Sequence, residues 1–127
     1  MAALALENVS YGGRIGEGVN DYLCYFVEAL AIAAREEGEG FRIRFLEKGE
    51  RCRALVVLDD IVFVVYGVDV ATISDLYSLL DDVERVAIEY SENQDIIIVP
   101  MLVAHDIEPW TKRVAESLDV EIVTLDT

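Results

Sequence analysis

The stretch ALVVLDDIVFVVYG, which opens at Ala54, limits the possible folds more than any other part of the chain. Two apolar runs rich in β-branched residues, each too short for a helix, are pinched at Asp59-Asp60, a pair favoured in tight turns for its own backbone chemistry. The second run, Ile61 to Tyr66, is nearly continuous Val, Ile and Phe. Such a run implies burial on both faces, as in a central strand covered by helices. It leads through VDVATIS into ISDLYSLLDDVERVAIEY, where Ile73, Leu76, Tyr77, Leu80, Val83, Ala87 and Tyr90 form the apolar stripe expected of a helix. Thr72 or Ser74 can cap it. Asp75, Asp81, Asp82 and Glu89 are expected on its solvated face, with Asp81 one turn before Arg85.

The rest of the chain can be hung on this centre. Residues 1–10 are read as an N-terminal arm, and Tyr11 to Gly18 as a flexible glycine-rich loop that lacks the spacing of a phosphate cradle. A helix is expected from Val19 to Gly38, with Val27 and Leu30 among its buried positions and Glu28 off the stripe. Phe41 to Leu46 alternates apolar and charged residues like a half-buried strand, and Arg51 to Leu58 is its hairpin partner after the turn EKGE. Closure around Lys48-Gly49 sets Arg44 opposite Arg53, a like-charge pair that needs acid neighbours, Glu37 or Glu39, or a bound anion. Arg44 and Arg53 are therefore the anion-binding candidates.

Asp95 to Pro100 reads as a buried strand, and His105, Asp106 and Glu108 as the acidic start of a helix that turns Ile107, Trp110, Val114 and Leu118 inward. Val120 to Leu125 is a last strand.

A chain of 127 residues is the size of one domain, 1–127, and buries about two thirds of its unfolded surface. The net charge of −15 is uneven. Residues 59–110 carry twelve acids and only Arg85 as a base, so nucleic acid, which binds through clustered Lys and Arg, is not an expected partner. No apolar run approaches the roughly 20 residues that span a bilayer. Cys24 and Cys52 read as small core residues of a reduced, cytoplasmic protein. Abundant Glu and Arg beside scarce Asn and Gln suit an archaeal or thermophilic source.

The order helix, three strands, helix, strand, helix, strand implies a three-layer α/β fold around a mixed sheet of about five strands. Through FVVYGVDVATISDLYSLLDDVERVAIEY and DIIIVPMLVAHDIEPWTKRVAESLDVEIVTLD it resembles the restriction-endonuclease-like, PD-(D/E)xK nuclease superfamily. That resemblance implies an Asp near the start of the second strand and a Glu-x-Lys on the third, holding Mg²⁺ to activate water. Aligned through Ser74-Asp75-Leu76-Tyr77, the Glu position falls on Tyr66, the Lys position on Val68 and the Asp position on Arg53 or Ala54. None supplies the required group. The expectation is a catalytically silent member acting as a structural or protein-interaction unit, forming a homo-oligomer or binding a protein partner, with no catalytic residue, metal or cofactor. Two alternatives follow: a diverged Mg²⁺-dependent nuclease using Asp59, Asp69 and Glu28, or a small anion or nucleotide binder using Arg44 and Arg53.

Overall fold

The structure, a computed structural model, describes residues 41–93 and 95–125 together with Cys24, Val27, Ala29 and Ile32, which are helical. The arm at 1–10, the glycine-rich loop, Glu28, Glu37 and Glu39 lie outside the described residues. Five strands form one sheet in the order of the sequence: β1 (Phe41–Lys48), β2 (Cys52–Leu58), β3 (Ile61–Ala71), β4 (Ile97–Ile107) and β5 (Glu121–Thr124). The first three make an antiparallel meander. β4 and β5 add in parallel, each reached through a helix: α1 (Ile73–Glu89) and α2 (Pro109–Ser117). The sheet is thus mixed.

Alternation along the strands sends side chains to two faces. Leu55, Val57, Val62, Val64, Tyr66, Leu102 and Ala104 pack with Leu76, Leu79 and Val86 of α1 and Ala115 of α2. Cys52, Ala54, Val56, Val65 and Val103 pack on the opposite face with Cys24, Val27 and Leu125. Burial on both faces explains the near-continuous apolar run of β3.

Two backbone kinks carry acids. Asp59, in the two-residue turn between Leu58 and Ile61, has φ 55°, the left-handed conformation that Asp tolerates better than most residues. The next carbonyl, of Asp60, accepts a hydrogen bond from Ile97 N at 2.8 Å, tying the turn to the start of β4. Asp119, at φ 60°, ends α2. Val120 N donates to Ala115 O and Asp119 N to Glu116 O, the paired closing bonds of a Schellman motif.

Four expectations are corrected. β4 runs to Ile107 rather than ending at Pro100, and its buried part is Leu102–Ala104 rather than the half before Pro100, where Ile97 is exposed; His105 and Asp106 therefore belong to a strand, and α2 begins only at Pro109. Its inward side chains are Thr111 and Ala115, whereas Trp110 is 64% exposed and Leu118 is also largely exposed. The buried stripe of α1 is Leu76, Leu79, Asp82 and Val86, which turns Tyr77 and Ala87 outward and Asp82 inward. Finally, Cys24 and Cys52 are buried but bonded to each other as a disulfide, their Cα atoms 5.4 Å apart. Packing of the helical segment onto β2 brings them within bridging reach across a separation of 28 residues, which their spacing in sequence does not reveal.

Candidate functional site

The polar centre of the molecule lies in one row across the sheet on the face covered by α1. Glu47 pairs with Arg53, Arg53 with Tyr66, and Tyr66 with Leu102. The row owes its first member to an irregularity in β1. From Phe41 to Phe45 the strand is in register with Leu58 to Ala54, a pairing that would set Leu46 opposite Arg53 if it continued. The register instead shifts between Phe45 and Glu47. A bulge adds one residue to one strand and reverses the facing of those after it. Here it puts a glutamate, in place of a leucine, opposite the arginine.

Arg53 is held from two sides. Its Nε and Nη2 donate to Asp82 Oδ2 and Oδ1 at 2.9 and 2.8 Å, a bidentate pair, and Nη1 donates to Glu47 Oε1 at 3.1 Å. Asp82 is only 3% exposed. The hydrogen bond to Asp82 raises the guanidinium well above its ordinary pKa, so Arg53 is a permanent cation. Arg85 Nη1 approaches Asp82 Oδ1 from the solvent side at 3.6 Å.

Seven residues earlier on α1, two helical turns, Asp75 serves the neighbouring strand. Its Oδ1 accepts from Tyr66 Oη at 2.9 Å, while Oδ2 accepts from Thr72 N and Thr72 Oγ1 at 2.8 and 3.0 Å. The same carboxylate therefore closes the N-terminus of α1 and fixes the tyrosine. Arg51 Nη1 donates to Tyr66 Oη at 3.3 Å and pairs through Nη2 with Glu47 Oε2 at 3.5 Å. Burial pushes the Tyr66 phenol above its ordinary value of 10.0, so it is neutral at physiological pH and free to donate. The hydrogen bond to Tyr66 also raises Arg51. Asp75, Glu47 and Asp82 thus alternate with Arg51, Arg53 and Arg85 in one charge-balanced chain linking β1, β2, β3 and α1.

The sequence-derived candidates fall as follows. Arg44 does not face Arg53, because its partner is Leu55. The expected like-charge pair does not form, since the hairpin turn sits further along the chain and Lys48 pairs with Cys52. Arg44 is 58% exposed and pairs with Glu89 at 3.3 Å. Among the described residues the two arginines thus have separate carboxylate partners, whereas Glu37 and Glu39 lie outside those residues. Asp59 sits in the turn at one end of β3 and Asp69 near the other, both exposed. The eight strand steps from Ile61 to Asp69 span roughly 26 Å, too far for one metal ion to bridge. Among the described residues no three His, Cys, Asp or Glu gather as a metal-binding group.

The residues at the positions taken from the resemblance do not fit Mg²⁺ either. The ion needs oxygen ligands, but Arg53 presents a cation, Ala54 faces the opposite side of the sheet, and Val68 is an apolar side chain packed on the α1 face. Tyr66 Oη is already engaged by Arg51 and Asp75.

Sequence reasoning missed Glu47, Asp75 and Asp82 as members of this network. A signal existed for Asp82, which falls on the line Leu76, Leu79, Val86. An acid inside an apolar stripe points to a cation on the element it packs against.

No protein-family model matches the chain, and no curated protein matches it in sequence. Among solved structures it is similar to the nuclease EndoMS in its apo form, with 21% identity and a TM-score of 0.58. The match covers 86% of this chain but only 48% of the EndoMS chain, so the protein spans about half the length of that relative. At this level of identity the likeness concerns the fold, and the chain has a nuclease-like α/β fold built on a mixed five-stranded sheet.

Proposed function

We propose that the protein is a catalytically silent nuclease-fold domain of the PD-(D/E)xK type that acts as a structural or protein-interaction module. The observation that carries this reading is the row Glu47, Arg53, Tyr66. At the positions where the resemblance calls for metal-binding carboxylates, this chain has a guanidinium clamped by two carboxylates and a phenol hydrogen-bonded to a third. A guanidinium at that position offers a divalent cation no oxygen ligand, and the described carboxylates around it are already paired. The acidic surface supports a role that does not depend on gripping a phosphate backbone. Exposed Tyr77 on α1 and Trp110 on α2 are aromatic residues of the kind enriched in protein interfaces, which supports the interaction role.

Incubation with single- and double-stranded DNA and RNA in Mg²⁺ or Mn²⁺ tests the proposal. All substrates should remain intact, and calorimetric titration with Mn²⁺ should show no stoichiometric site. Metal-dependent cleavage that disappears on substitution of Asp59 or Asp69 would favour the diverged nuclease instead. For the homo-oligomer, light scattering at micromolar concentration is decisive: a monomer there removes that part of the proposal.

A further inference from the structure

The clamp on Arg53 gathers three features that are individually unfavourable. An acid, Asp82, takes a core position on α1, where an unpaired charge is costly. An arginine on β2 projects onto the α1 face, where its side chain is only 22% exposed. A bulge at Leu46 interrupts β1 and leaves that leucine partly exposed. All three are accounted for if the position requires a cation between oxygen ligands from the sheet and from the helix.

We infer that the Arg53 guanidinium is the resident cation of this position, a covalently attached replacement for a metal ion, held by Asp82 from α1 and Glu47 from β1. It pairs with both carboxylates, whose remaining charge Arg51 and Arg85 balance, and it joins three elements as an ion bound between them would, but it cannot exchange or polarise a water. The inference rests on the silent-domain reading and gives that reading a physical cause. Once the side chain is cut back, the position takes a small cation. Free guanidinium reproduces the planar fork that matches Asp82, and a divalent ion that prefers oxygen can use the same two carboxylates.

Arg53→Ala provides the test, read by thermal unfolding with and without millimolar guanidinium chloride or Mn²⁺. Wild type and Arg53→Ala/Asp82→Asn serve as controls. Arg53→Ala should melt about 10 °C below wild type. Either cation should restore a few degrees in a saturable way, whereas neither control should respond. An ordinary buried ion pair predicts the loss of stability but no selective rescue. Absence of a saturable response in Arg53→Ala overturns the inference, as does an equal response in wild type.

If Arg53→Ala does not accumulate in folded form, its refolding from urea is compared with and without the same cations. Recovery only in their presence supports the resident cation, and no recovery in either condition overturns it. Nucleic-acid cleavage by wild type removes the silent-domain reading itself. Failed rescue with an inert wild type removes only the resident cation.

Discussion

The two faces of the sheet are held by different physics. On the face toward Cys24 and Val27 the contacts are apolar and end in a covalent link, the Cys24–Cys52 disulfide. On the face toward α1 an equally apolar centre gives way at one edge to a chain of three carboxylates, three guanidiniums and a phenol. Apolar packing tolerates small shifts in position, whereas a bidentate guanidinium–carboxylate pair has a defined distance and direction. The first face therefore holds the helical segment near the sheet, and the second fixes the angle and register of α1. Position within the network matters as well. Arg53 is 22% exposed and grips a carboxylate that is almost fully buried, whereas Arg44, on the same face, meets Glu89 in solvent.

The largest effect should come from removing one partner of the buried pair. Asp82→Ala leaves Arg53 partly buried with only Glu47, and should cost about 3–5 kcal/mol in urea unfolding. The double change Arg53→Met/Asp82→Leu should recover most of that loss, because no charge is then left unpaired. A small Asp82→Ala effect with no gain in the double variant would mean that the two faces do not differ in this way.

The opposite face is tested by Cys24→Ala/Cys52→Ala. Loop-closure entropy for a separation of 28 residues predicts a loss of about 3.5 kcal/mol. Mass determination of alkylated, unreduced wild type checks that the bond is present, since two alkylated thiols would contradict it.

Tyr66→Phe should cost about 1 kcal/mol near neutral pH by deleting the hydroxyl between Arg51 and Asp75. Because folding raises this phenol above 10.0, the folded state keeps its proton where the unfolded chain loses it. The associated stability is complete below about pH 10 and falls as pH rises through the folded value. Urea midpoints for wild type should therefore decline more steeply above pH 10 than those for Tyr66→Phe, narrowing the gap between them. Parallel profiles would place the phenol outside the buried network.

The smallest effect belongs to the rim. Arg44→Ala should change stability by less than about 1 kcal/mol, and the change should fade with added salt.

Much of the fold was legible because it depends on patterns along the chain. The apolar runs around Asp59-Asp60, the β3-to-α1 continuity and the turn itself follow from burial period and turn chemistry. The β4 boundary was not, because Pro100 suggests a stop to a local reading. In the structure Pro100 pairs with Val64, and the strand continues for seven more residues. The candidate site was legible only as a set of missing groups at Tyr66, Val68 and Arg53. What fills it, Glu47 and Asp82, depends on a bulge and on the rotation of a helix.

The sequence by itself determined that the five strands, α1 and α2 exist and that β3 is buried on both sides, since these follow from local preference and hydrophobic period, but not that β4 reaches Ile107 with its buried part at Leu102–Ala104. Only the tertiary structure decided where the charges go. The bulge after Phe45 and the facing of α1 choose which carboxylates meet Arg53. The cost of burying an unpaired charge then favours the arrangement in which Asp82 and Glu47 both reach it.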